Sequence, residues 1–276
     1  MLRPVPPLNP PREPVFNMPA VVTVTIGVLV LLHVLRSVLS DEADLRLLLE
    51  LAFIPAQWTV AWDPAIASDI LAGAAGQAGD AQNEIGTALA RYVLGHGALN
   101  PWSVLTYALL HGSWAHILLN SVWLAAFGTP IARRCGAARF LLLAVASALG
   151  GAAAHLLANP TSVMPMIGAS GAVSGMMAAA ARFVFSPAPG RLGPDPWPGQ
   201  PLAQPRLSLL GVVKNSRAAL FLGIWFATNL LFGAIAAPLG MTGGSIAWEA
   251  HIGGFLVGLM VFPLVDRVET VRSRAT

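Results

Sequence analysis

Residues 166–177 read MIGASGAVSGMM. In this apolar stretch Ser170 is flanked by Gly168, Ala169 and Gly171, with Ser174 and Gly175 close behind. Small residues in such a run let two membrane helices approach closely. The same setting would leave a serine hydroxyl accessible as a nucleophile. The stretch fits both readings, and the rest of the chain chooses between them.

The 276 residues are 55% hydrophobic and 11% charged, with a mean hydropathy of +0.67. So few charges cannot cover the surface of a soluble protein this large, so the chain reads as an all-α, polytopic integral membrane protein. Cys135 is the single cysteine, which excludes an internal disulfide and a cysteine-based metal site. The pI near 9.7 would suit nucleic acid. However, the basic residues are not clustered with exposed aromatics, so no nucleic-acid partner is expected.

About 20 apolar residues cross a bilayer core of about 30 Å. Six stretches qualify: 19–39, 103–128, 139–158, 168–185, 218–237 and 246–265. Together they define a membrane domain over 19–266. Residues 1–18 are proline-rich and read as a disordered tail; 267–276 form a second tail. The first span lacks a small-residue cleavage site and runs into Arg36, so it reads as a retained helix and not a signal peptide. The loop 40–102 contains DLRLLLELAFIPAQW (44–58), which looks amphipathic and is expected to lie on the membrane surface without crossing it.

Charge orients the bundle. Arg3 and Arg12, then Arg133, Arg134 and Arg139, then Arg182, Arg191, Arg206, Lys214 and Arg217, and last Arg267, Arg272 and Arg274 fall on one side if six helices alternate. The opposite side carries Arg36, Arg46 and Arg91 beside many carboxylates. By the positive-inside tendency both termini are cytoplasmic. This compact, asymmetric pattern fits a bacterial inner membrane.

Polar side chains inside spans are costly and point to function. The second span holds HGSWAHILLN (111–120), the fourth GASGAVSG (168–175) and the sixth IAWEAHIGGFLVG (246–258). Counting about 1.5 Å per residue to the inner end of each span places His116, Ser170 and His251 at one level, about 6–9 Å below the outer edge. Members of one site must agree in depth, whereas unrelated structural residues need not. His251, Gly254 and Gly258 share a helix face, as do Gly171 and Gly175, giving two surfaces on which backbones can meet. His116 and Asn120 also share a face. On a continuous helix His111 falls half a turn away and outside this cluster.

Histidine is a credible base for serine because its pKa lies near neutrality. Ser170 opens its helix, where its N–H lacks an intrahelical acceptor and meets the positive end of the dipole. That N–H, with His116 and Asn120, could stabilise a tetrahedral oxyanion. Glu249, two residues from His251, points nearly the opposite way, so a Ser–His dyad is expected in place of a triad. The zinc motif HExxH and paired intramembrane aspartates are missing from the sequence, and no metal or cofactor is expected.

HGSWAHILLN, GASGAVSG and AHIGGFLVG, in that order over about residues 100–265, resemble the rhomboid intramembrane serine proteases. The resemblance implies a six-helix fold with a short central fourth helix, no cofactor, and cleavage of other proteins in or beside their transmembrane helices. It implies Ser170 as nucleophile, His251 as base, His116 and Asn120 as oxyanion partners, Gly254 and Gly258 as close-packing glycines, and His111 as support for the first loop. Two positions depart from the pattern. Trp102 is followed by Ser103 where many members have arginine, which bears on loop anchoring. Ser174 stands where some bacterial members stack a tyrosine on the base, so His251 needs support from elsewhere.

A catalytically inactive rhomboid-like scaffold that binds membrane clients is the alternative function; such relatives lose the serine or histidine, and this chain keeps both. A transporter fits less well, since no carboxylate lies in a proton path and no inverted repeat is evident. The expected partners are transmembrane protein substrates and the bilayer. Substrate identity and oligomeric state are not encoded in any readable motif.

Overall fold

The computed structural model describes residues 18–76, 81–96, 99–186, 205–231, 233 and 247–266. The expected C-terminal tail, residues 1–17 of the N-terminal tail, most of the 186–206 connector and the outer end of the fifth span lie outside these residues. Helices in chain order are α1 (Ala20–Ser37), α2 (Asp41–Leu51), α3 (Pro55–Trp62), α4 (Ala67–Gly76), α5 (Ala81–His96), α6 (Ser103–Thr106), α7 (Trp114–Trp123), α8 (Thr129–Cys135), α9 (Ala137–Ala158), α10 (Ser170–Val184), α11 (Leu209–Lys214), α12 (Ser216–Asn229) and α13 (Trp248–Val265). Among the described residues, four are long and apolar enough to cross a bilayer: α1, the run Trp114–Cys135, α9 and α13. The protein is a helical, polytopic, integral membrane protein.

The core is a trio in which α10 packs against both α9 and α13. Its helices meet through small residues. A side chain at Gly254 would overlap the Gly171 carbonyl, and one at Gly258 would overlap the Gly175 backbone. One at Gly175 would strike Ser147 of α9. Lipid tails are as apolar as leucine, so dispersion between close backbones, more than water exclusion, holds such helices together. α10 has only 15 residues, nearly all buried from Gly171 to Phe183. Surrounded by protein, it has no need to reach both lipid interfaces.

The second span differs from expectation. The chain is helical over Ser103–Thr106 and tightens to a 3-10 turn over Tyr107–Leu109. It is extended at Leu110 and at Ser113, and Ser113 caps α7 by accepting from the His116 N–H. The long apolar helix here therefore runs over Trp114–Cys135, and residues 103–113 lie outside it. It widens to a π-turn at Leu124–Gly128, just before Pro130, which has no N–H for the carbonyl four residues earlier.

Within the loop 40–102 the stretch 44–58 is divided between α2 and α3. α2 ends at Leu51, where Ala52 turns extended (φ −72°, ψ 152°). Ile54 precedes Pro55, which keeps it from the helical conformation, and as the N-cap of α3 it has φ −118° and ψ 105°. Phe53 and Ile54 turn inward and are fully buried. Phe53 pairs with Met166 through two backbone hydrogen bonds of 3.0 and 2.9 Å. Thr59 donates to the Pro160 carbonyl at 2.6 Å. Leu49, Ile54, Ile70, Ala90, Val93 and Val163 form a small separate core under this cap. The cap thus grips the strand-like segment that leads into Ser170.

Ion pairs hold both ends. Arg36 binds Asp44 through two bonds of 2.7 and 2.9 Å and donates to the His111 carbonyl at 3.0 Å. Trp102 and Thr106 donate to the Glu50 and Leu51 carbonyls at the end of α2. These contacts anchor the loop where Ser103 replaces an arginine. At the opposite end, Arg134 grips Asp266 at 2.8 and 2.9 Å with both side chains fully buried. The Arg134 guanidinium also lies 4.5 Å from the Phe183 ring centre.

Candidate active site

Ser170 is the first residue of α10, following the non-helical segment 159–168. Its entry angle is set by Gly168, whose φ of +124° is a conformation that favours glycine. The Gly168 N–H donates to the Tyr107 carbonyl at 2.9 Å. A Cβ on Gly168 would lie 2.8 Å from His116 Nε2, so the missing side chain also makes room for that imidazole.

His251 lies in the first turn of α13, and its Nε2 is 2.8 Å from Ser170 Oγ, within hydrogen-bond range. The separation is short because Gly254, one turn along α13, sits against Gly171, the residue after the serine. Residues 81 positions apart thus meet at the top of a glycine-lined seam. The Ser174 hydroxyl donates to the Ser170 carbonyl at 2.7 Å and does not reach His251. Instead, His251 Nδ1 lies 2.5 Å from Asn229 Oδ1 on α12.

His116 and Asn120 lie one turn apart on α7 and border, with Gly168, Ser170 and His251, a cavity of about 420 Å³. The Asn120 amide donates to the His116 carbonyl at 3.1 Å; that amide has a second N–H. A smaller cavity of about 210 Å³ continues from Ser170 and His251 between α7 and α12, past Trp123, Phe127 and Trp225. A larger cavity, about 700 Å³, lies by α4, α5 and residues 161–164; Asp69, Thr161 and Ser162 are its polar lining among the described residues, and no histidine is.

All four expected polar residues border one cavity, and the four expected glycines form the seam beneath it. His111 is closer than its helical position suggested: its buried ring lies 5.0 Å from that of His116, edge to face. The wheel argument fails because 110–113 is not helical. Glu249 points away, its carboxylate 3.2 Å from Asn159 and 3.6 Å from His155 at the end of α9. Asn229 and Tyr107 are site-shaping residues outside the three motifs, and Gly168, the first residue of GASGAVSG, had no role assigned from the sequence. Asn229 had a readable signal: it lies about 13 residues, roughly 20 Å, from the inner end of its helix, the level reached by His251.

A helical membrane protein with a serine–histidine pair over a cavity is the class this arrangement defines. The Rhomboid domain family matches residues 98–267, and the chain belongs to that family. It is 29% identical over 163 residues to rhomboid protease GlpG of Pectobacterium atrosepticum, covering 59% of this chain and 48% of that one. Identity to the mitochondrial rhomboid protein 1 of Saccharomyces cerevisiae is 28% over 177 residues, 62% of this chain and 44% of the relative. A shorter match, 37% over 78 residues, links it to rhomboid protease GluP of Bacillus subtilis, covering 28% of this chain and 15% of that protein. The chain spans less than half the length of each of these relatives.

Proposed function

We propose that the protein is an intramembrane serine endopeptidase that cleaves transmembrane proteins near the outer face of the membrane with a Ser170–His251 dyad. The observation that carries this reading is the 2.8 Å approach of His251 Nε2 to Ser170 Oγ inside a cavity. Ser170 Oγ bonds to the carbonyl carbon of the scissile peptide as its proton passes to His251 Nε2. The carbonyl π electrons move onto oxygen, and the Ser170 N–H, His116 and Asn120 hold the resulting anion. Collapse breaks the C–N bond, and the leaving amine takes the proton from His251. Water then attacks the acyl ester, giving a proton to His251; that proton returns to Ser170 as the carboxylate product leaves.

Both termini face the cytoplasm in this reading, by the distribution of basic residues, and the site opens toward the other side. A bacterial inner membrane fits that asymmetry. The substrate segment must leave its helix before attack, because the carbonyls of a regular membrane helix are already hydrogen-bonded.

The test is covalent labelling of purified protein with a fluorophosphonate. Labelling of the wild type that disappears in Ser170→Ala and His251→Ala supports the enzyme. A wild type that binds membrane clients but is neither labelled nor cleaves them is the inactive scaffold.

A further inference from the structure

Asn229 belongs to neither the expected dyad nor the oxyanion group, yet it touches the base. Its amide orientation follows from its two partners. Nδ2 lies 2.8 Å from the Trp225 carbonyl, which can only accept, so the NH2 must face that carbonyl. The amide oxygen is thereby turned toward His251 Nδ1, 2.5 Å away. An amide oxygen also only accepts, so Nδ1 must carry the hydrogen. In a neutral imidazole the other nitrogen is then bare, and it is Nε2 that faces the Ser170 hydroxyl.

We propose that Asn229 is a positioning residue that sets the tautomer and ring orientation of His251, leaving Nε2 unprotonated toward Ser170. This inference rests on the dyad reading. Asn229 and Trp225 are one turn apart on α12, as His251 and Phe255 are on α13. Trp225 stacks on Phe255 with ring centres 5.0 Å apart and planes 20° from parallel, so this aromatic contact holds the two helices together one turn below the amide. The support left open by Ser174 thus comes from the neighbouring helix. When His251 takes the serine proton, its Nδ1–H bond to the amide oxygen becomes charge-assisted and stronger. A neutral amide does this without the desolvation cost of placing a carboxylate inside the membrane.

The test has two arms. In the first, ¹⁵N NMR of histidine-labelled Ser170→Ala protein, with His251 assigned by its substitution, reads the tautomer without any change at Asn229 or any need for activity. The proposal requires the Nδ1–H form, and an Nε2–H form overturns it. In the second, cleavage of a single-span substrate is measured for Asn229→Leu, which removes the acceptor at similar size, and for Asn229→Asp, which keeps one. Asn229→Leu is expected to lower kcat about 10- to 100-fold with KM little changed, and Asn229→Asp to restore most of the loss. Wild-type kcat in Asn229→Leu, or equal losses in both variants, overturns the proposal. Failure of the dyad reading is distinct: it appears as a wild type that is not labelled, or whose labelling does not depend on Ser170, whatever the His251 tautomer.

Discussion

Adding one methyl group at Gly258 tests how the site is held together. The Cβ of Gly258→Ala would overlap Cα, the carbonyl carbon and the carbonyl oxygen of Gly175, all backbone atoms of α10. Carbon atoms rest at about 3.5–4.0 Å, so α10 and α13 would have to separate by roughly 1 Å at that level. Such overpacking typically costs about 1–3 kcal/mol, partly offset by the roughly 1 kcal/mol that alanine gains over glycine in a helix. The same separation, carried about 10 Å up the helix, opens the 2.8 Å Ser170–His251 contact beyond hydrogen-bond range. A misplacement of about 1 Å lowers turnover about 10²-fold. Gly27 of α1 and Gly223 of α12 are internal controls, since a Cβ on either meets nothing within 4 Å. The assay is thermal unfolding in detergent beside kcat on a single-span substrate. Gly258→Ala should lose both stability and turnover, while Gly27→Ala and Gly223→Ala remain at or slightly above wild-type stability. If Gly258→Ala matches the two controls in both measurements, the seam is not what brings Ser170 and His251 together.

Ser170→Ala and His251→Ala should each abolish cleavage while leaving the folded fraction in size-exclusion chromatography unchanged, because each removes half of a covalent mechanism; substantial cleavage by Ser170→Ala would refute the nucleophile assignment. Asn120→Ala should reduce kcat by up to about 10²–10³, less if His116 compensates, and a change confined to KM would assign it to substrate contact. Asp266→Ala should destabilise by about 3–5 kcal/mol in denaturation experiments, because it takes the paired carboxylate from the fully buried Arg134 guanidinium; an unchanged unfolding midpoint would contradict this. Mass spectrometry of cleaved single-span substrates should place cuts within about two helical turns of the outer boundary, near Ala, Gly or Ser residues, and cuts clustered in the cytoplasmic half would refute the orientation.

Membrane residence and helical architecture are legible in the sequence because hydropathy and span length are local quantities. A window of about 20 residues contains everything needed to judge them. The three polar motifs are legible for a related reason: a polar group inside a span is conspicuous against leucine and alanine. The paired glycines on α10 and α13 also announce close packing by their spacing alone. The contacts themselves are another matter. Whether Ser170 and His251 approach to 2.8 Å depends on the rotation of two helices and their closeness, which Gly171, Gly175, Gly254 and Gly258 determine jointly. Asn229 was visible as a letter, but an amide in a helix can bond its own backbone four residues earlier, as Asn120 does. Only the packing of α12 on α13 turns its oxygen to His251. Pro55 marks a break in the loop 40–102, but the pairing of Phe53 with Met166, more than a hundred residues away, is a tertiary fact. The arginines act at two levels: counted, they carry the proposed orientation; in place, Arg134, Arg182 and Arg206 tie one end of the bundle together. Local chemistry therefore chose the solvent, the helices and the candidate groups. Distances and partners came only with the fold, because each is a relation between segments that no local window contains.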